Sequence, residues 1–422
     1  MFTQHRLSNS IRIILAPHDE TRAVSLLVLI RVGSRSEEPG QSGVSHFLEH
    51  LMFKGTARRP STLVISQELD SVGAEYNAFT AKDQTGYYIK SASANLELAA
   101  DMLSDMLSNS LFVAEEVERE RGTILEEINM YEDNPMAKVE NFFDEDFFGP
   151  GTPLGRYVIG VPRTVRAITR EQIVNYWRQH YVGENIVISL SGNFKPERAL
   201  AMLARKFGSL PAGRFNSVKK ARLLPRRPQL AAHYKKTNQG HMVLGFSGVP
   251  YNHKDREALG LLAIILGGNM SSRLFISVRE RLGLCYFIRA QAESYEDTGT
   301  FSIQAGLDLG KVGQALKAIA IELKSVKQGG VNKEELAKAK QYIKGKTDLS
   351  LEESLDVASF YGKQVLFHRQ VLTPEQALKR VMAVTKSDIA RLAKKALDKR
   401  QLNLVMLSPF KSLNRFAKFL DI

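Results

Sequence analysis

Two rhythms of apolar residues run along this chain. Val-, Ile- and Leu-rich runs at 12–15 and 24–32 predict strands. Apolar residues recurring every three or four positions predict helices at 42–53 (after Gly40), 63–72, 95–107 and 115–131. Residues 75–80 and 85–91 predict a hairpin about 81–84. These elements follow no strict alternation. The pattern therefore predicts an α+β fold, a mostly antiparallel sheet packed with helices, rather than a doubly wound parallel one.

The pattern also repeats. Residues 165–194 read VRAITREQIVNYWRQHYVGENIVISLSGNF, and residues 381–410 read VMAVTKSDIARLAKKALDKRQLNLVMLSPF. Aligned without gaps, Val165/Val381, Ala167/Ala383, Thr169/Thr385, Ile173/Ile389 and Phe194/Phe410 coincide. Each segment is a Thr cap, an amphipathic helix, a short turn and an apolar strand. Between the halves, 211–229 carries Pro211, Gly213, Pro225, Pro228 and many basic residues without apolar period, which marks a linker. The expected division is two homologous domains at 1–212 and 230–422, with the linker at 213–229.

The 422 residues, 44% hydrophobic, supply material for two cores. The longest apolar runs, 23–30 and 259–266, are too short for a bilayer, which takes about 20 residues. The N-terminus reads as neither signal nor transit peptide. The expectation is a cytoplasmic protein with no membrane partner. Net charge is +13, but acids interleave the Lys and Arg, as at 333–338, and the densest basic stretch, 219–227, falls in the linker. No nucleic-acid partner is expected. The single cysteine, Cys285, excludes a disulfide framework and a cysteine metal site within one chain, and it reads as a buried, inert thiol.

The candidate chemistry lies in His46-Phe47-Leu48-Glu49-His50. On a helix, positions i and i+4 share a face, so two imidazoles can bind one zinc ion. Glu49 stands beside them without being a ligand, placed to take a proton from a zinc-bound water. Phe47, Leu48, Leu51, Met52 and Phe53 put the motif on a largely buried helix, where unpaired polar groups are costly. A third ligand is needed. The helix 115–131 is dense in acids, and Glu120 and Glu127 share one face with Ile124 between them. Glu115, Glu116 and Glu118 read as solvated.

With these pieces in place, the chain resembles the inverted-motif zinc peptidases of the pitrilysin, insulin-degrading enzyme and mitochondrial processing peptidase family, in their small bacterial form. The resemblance covers nearly the whole chain. It is carried in order by 46–50, 53–56, 77–80, Glu120-Arg121, Glu126-Glu127, 153–156, 272–275, Arg279-Glu280 and 283–286. It implies an endopeptidase for short or unfolded polypeptides with one zinc per chain. Its ligands are His46, His50 and Glu127, with Glu126 the competing third ligand. Glu49 is the catalytic base, and Glu120 orients a ligand or the water. It also implies that Asn77, Ala78 and Phe79 form an edge strand for substrate, and that Arg279 and Tyr286 contact the peptide. The implied architecture is two halves facing each other around a cavity. The second half lacks a metal motif, because 259–266 contains no His. Residues 135–139 lack the acids that read an arginine in mitochondrial leaders, which puts that specificity in doubt. A Gly-rich loop typical of the non-catalytic processing subunit is absent too, which favours like chains, a homodimer.

Overall fold

The computed structural model describes residues 2–214, 220–221 and 228–422. The expected linker falls largely outside the described residues. In the first half the strands are β1 (Thr3–Arg6), β2 (Arg12–Pro17), β3 (Ala23–Ile30), β4 (Glu75–Thr80), β5 (Thr85–Ala92) and β6 (Ile186–Gly192). The helices are α1 (Val44–Leu51), α2 (Thr62–Asp70), α3 (Leu96–Asn109), α4 (Ala114–Asp133), α5 (Pro135–Phe148), α6 (Pro162–Ala167), α7 (Arg170–His180) and α8 (Pro196–Phe207). The second half adds β7 (Gln229–Tyr234), β8 (Gln239–Ser247), β9 (Cys285–Ser294), β10 (Gly299–Asp308) and β11 (Asn403–Ser408). Its helices are α9 (Arg256–Gly267), α10 (Val312–Gly329), α11 (Lys333–Ser350), α12 (Ser354–Phe367), α13 (Pro374–Ala383) and α14 (Lys386–Ala396). Among the described residues, no helix is long and apolar enough to cross a membrane.

The two sheets share one topology. The first runs β1-β2-β6-β3-β5-β4 and the second β7-β11-β8-β10-β9. Without the extra hairpin strand β1, the orders match position for position. In both, the pair formed by the half's opening and closing strands, β2/β6 and β7/β11, is parallel, and the other pairs are antiparallel. The expected repeat is equally plain in the caps. Thr169 and Gln172 form a capping box at α7, and Thr385 and Asp388 form one at α14.

The chain divides into two compact units: Met1–Asn129 with Arg156–Lys219 and Thr347–Thr373, and Met130–Gly155 with Lys220–Lys346 and Pro374–Ile422. Cutting at the linker thus leaves one helix of each half on the other half's sheet. In the first unit, α12 lies on β2, β3 and β6. Val357 and Tyr361 pack on Ile14 and Ala16, and the Ser189 hydroxyl donates to the Ala358 carbonyl. Gly362 is needed there, since a Cβ would stand 2.9 Å from Leu29 Cδ1. In the second unit, α5 buries Val139, Phe143, Phe147 and Phe148 against Val243, Val405 and Leu407. Phe143 occupies the space a side chain at Gly245 would fill. Cover on both faces explains why β3 reads as a nearly unbroken apolar run. Its one buried polar residue, Ser25, bonds the Ser354 hydroxyl on α12 at 2.8 Å.

Candidate metal centre

Helix α1 buries Val44, Phe47, Leu48 and Leu51 in the core of the first unit. Helical spacing leaves His46, Glu49 and His50 on the remaining face. The helix opens at Gly43, whose φ of +97° favours glycine, and a Cβ there would lie 2.8 Å from the Ile159 carbonyl oxygen. Glu37 answers the free amides of the first turn. Its Oε2 accepts from Gly43 N–H and its Oε1 from Ser45 N–H, both at 2.9 Å. Burial pushes the Glu37 carboxyl up to about 7, against the lowering effect of those amides and of Arg156. A folded-state pKa above the unfolded 4.5 means the folded chain binds this proton more tightly. That stabilisation is complete below pH 4.5 and is lost as pH rises through about 7. Urea denaturation across this window is therefore expected to favour Glu37→Gln over the parent increasingly as pH rises. The total change is roughly 3 kcal/mol. A pH-independent difference would contradict the assignment.

Helix α4 buries Val117, Glu120, Ile124 and Ile128 along one stripe, and Glu127 lies on the same stripe, one turn after Ile124. Arg121 pins α4 to α1. Its guanidinium sits 5.2 Å from the Phe47 ring centroid and donates to the Val165 carbonyl.

These two helices bring three side chains to one point. His46 Nε2 and His50 Nε2 are 3.2 Å apart, and Glu127 Oε2 is 3.7 Å from the first and 3.5 Å from the second. Zinc bonds of about 2.0–2.1 Å in tetrahedral geometry hold ligand atoms roughly 3.4 Å apart. The three gaps bracket that value, so the residues present fit a zinc ion. Glu126 is exposed and stands outside the cluster. Among the described residues, His46, His50 and Glu127 form the one group with metal-holding geometry. In the second unit, α9 carries Leu262, Ile265 and Leu266 in its core.

The electrostatics favour a cation. Burial, helped by His50, lowers His46 to about 3, so its ring stays neutral with a lone pair to offer. Burial also opposes charge on His50, yet its bond to Glu120 and the charges of Glu49, Glu120 and Glu127 outweigh that and raise it. Burial raises Glu127 as well, with the Glu120 charge adding to it and His50 opposing. Three carboxylates around two imidazoles thus ask for positive charge. Glu120 Oε1 meets His50 Nδ1 at 2.8 Å and Oε2 meets Lys54 Nζ at 2.5 Å. Burial raises Glu120, but its bonds to His50 and Lys54 prevail and leave it lowered. Glu49 stands apart from the ligand triangle. Burial raises its pKa, and its Oε2 accepts a 2.5 Å bond from the Thr80 hydroxyl.

Residues Asn77, Ala78 and Phe79 lie on β4, which among the described residues pairs only with β5 and ends the sheet. Asn77 is exposed, and Phe79 covers Gly86. Arg279 and Tyr286 belong to the second unit. Arg279 lies on a π-helical segment, Phe275–Arg281, with its guanidinium 4.5 Å from the Phe275 ring centroid and 5.8 Å from that of Tyr286. Tyr286 is 77% exposed. Cys285 is half-buried rather than buried, because β9 is the last strand of its sheet; burial still pushes its thiol up to about 11. Sequence reasoning gave no role to Thr80, Lys54 or Glu37, although 53–56 and 77–80 help to carry the resemblance. Lys54 lies just past the end of α1, and its pairing with Glu120 spans too much sequence for a local pattern to signal. Nothing local marks Glu37, and nothing local ties Thr80 to Glu49.

Comparison with known proteins gives this geometry a family. Residues 12–160 match the model described as insulinase, peptidase family M16, and residues 167–343 match that described as the peptidase M16 inactive domain. The chain belongs to peptidase family M16. An uncharacterized zinc protease of Streptomyces coelicolor is 37% identical to this M16 chain over 413 residues, covering 96% of it and 89% of the relative. One from Bacillus subtilis is 33% identical over 410 residues, covering 97% and 98%. A protease from Helicobacter pylori superposes with a TM-score of 0.90 at 23% identity, over 97% of this chain and 99% of that one. A chain of complex III2 from Candida albicans superposes with 0.87 at 18% identity, over 99% of each. The two structural likenesses show a shared fold, so activity has to be argued from the side chains.

Proposed function

We propose that the chain is a zinc-dependent endopeptidase that hydrolyses peptide bonds in short or unfolded polypeptides. The observation that carries this reading is the triangle of His46, His50 and Glu127, with a separate buried carboxylate, Glu49, beside it on α1. A zinc ion held there would polarise the scissile carbonyl and the attacking water. Glu49 accepts the proton of that water and returns it to the leaving amine. Its raised pKa makes it a stronger base than an exposed carboxylate. Thr80 holds one oxygen of Glu49 and so aims the other. Glu120 accepts a hydrogen bond from His50 Nδ1–H, which keeps the proton on Nδ1 and leaves the Nε2 lone pair for the ion.

Strand β4 offers an unpaired edge to which an extended peptide can add through main-chain bonds at Asn77, Ala78 and Phe79. Such bonds are largely blind to sequence, which suits a peptidase for unfolded chains. Arg279 and Tyr286 carry the contact roles the motif implies: a guanidinium that can fork onto a carbonyl, and a phenol that can donate to a developing oxyanion. Digestion of a peptide library with and without chelator, with cut sites mapped by mass spectrometry, tests the reading; cleavage that survives chelation would end it. Thr80→Val is expected to lower kcat on the order of tenfold with KM nearly unchanged, since a bond to a charged group is worth about 1.5–3 kcal/mol. Thr80→Ser is expected to keep most of the rate. Steady-state kinetics on one cleaved peptide measures both.

A further inference from the structure

We propose that Lys54 is a positioning residue for the metal centre: it holds Glu120 so that this carboxylate fixes the ring of His50. The proposal rests on the reading of His46, His50 and Glu127 as zinc ligands. Lys54 follows α1 on a last helical turn, with its N–H donating to the Leu51 carbonyl at 3.1 Å. It stands four residues after His50, just past the end of α1. Glu120 lies across from them and is engaged at both ends, with Oε1 at 2.8 Å from His50 Nδ1 and Oε2 at 2.5 Å from Lys54 Nζ.

Two contacts in different directions fix the plane of a carboxylate; one leaves it free to rotate about its last bond. With Lys54 in place, Oε1 stays on Nδ1. Nδ1 then keeps the ring proton, and the Nε2 lone pair faces His46 and Glu127. The neighbouring cations are committed elsewhere: Arg119 pairs with Glu116, and Arg121 with Glu118 and the Val165 carbonyl. Lys54 is itself well anchored. Its side chain is 22% exposed, and the chain bends away at once through Gly55, with φ of +128° and no room for a Cβ beside the Pro60 carbonyl. The sequence span between Lys54 and Glu120 hides this pairing from local patterns.

The test is the zinc dissociation constant of the full chain, measured by competition with a chromogenic chelator. The chains compared are the parent, Lys54→Met, Lys54→Arg, Glu120→Gln and the double variant Lys54→Met/Glu120→Gln. Lys54→Met is expected to weaken zinc binding about tenfold. Lys54→Arg is expected to restore it to within roughly threefold. In the Glu120→Gln background, Lys54→Met is expected to cost nothing further, because its effect runs through that carboxylate. An unchanged constant in Lys54→Met overturns the proposal while leaving the ligand reading intact, and so does an equal loss in the Glu120→Gln background. A parent chain that binds no zinc overturns both. Thermal denaturation of the metal-free chains checks folding, and Lys54→Gln takes the place of Lys54→Met if the latter does not fold.

Discussion

Glu49→Gln is expected to hold zinc as tightly as the parent chain and to hydrolyse peptides about 10³-fold more slowly, or worse. General acid–base catalysis by one positioned group is worth about 10²–10⁴, and Glu49 is asked to serve twice, at attack and at departure of the amine. The amide is nearly the same size as the carboxylate. Its carbonyl oxygen can still accept from Thr80, as Glu49 Oε2 does at 2.5 Å. It stands outside the triangle of His46, His50 and Glu127, so the ligand set is untouched. Zinc content by plasma emission and turnover on a single cleaved peptide separate the two effects. Loss of zinc in the variant would place Glu49 among the ligands, and retained turnover would remove it from the mechanism.

Removing the metal is expected to have an equally large effect. Chelation should abolish cleavage, and added zinc should restore it. An ion held by His46, His50 and Glu127 would join α1 to α4, so it should also stabilise the fold. With free zinc at 1,000 times its dissociation constant, mass action supplies about 4 kcal/mol. For a unit of this size that is a rise in Tm on the order of 10 °C. His46→Ala removes one corner of the triangle and should lose both the rescue and the rise. Glu127→Ala should do the same. Glu126→Ala should do neither, because Glu126 is exposed and outside the cluster. Calorimetry with and without zinc on these three variants measures the difference.

These expectations show where the sequence was informative. The spacing of His46, Glu49 and His50 is a property of one helix, so it can be read locally. So can the stripe on α4 that contains Glu120 and Glu127. The choice between Glu127 and Glu126 is not local: it depends on which side of α4 meets α1, and that is settled by Val117, Ile124, Ile128 and the Arg121–Phe47 contact. Thr80 reaches Glu49 from a strand 31 residues away, so no periodicity signals it. The repeat of 165–194 in 381–410 foretold two sheets of one design. It could not foretell that α5 and α12 change partners. An amphipathic helix advertises a buried face, but the complementary surface is set by small residues elsewhere, here Gly245 under Phe143 and Gly362 itself against Leu29. Glu37 was invisible for the same reason. The Glu37-Glu38 pair in a loop gives no hint that Glu37 will be fully buried and will cap the helix that carries the histidines.

The most direct test is an anomalous-difference map recorded at the zinc edge on crystals of the zinc-loaded chain. The account requires a single peak per chain, about 2.0–2.2 Å from His46 Nε2, His50 Nε2 and a Glu127 carboxylate oxygen. A peak elsewhere, or none at those three atoms, would contradict it.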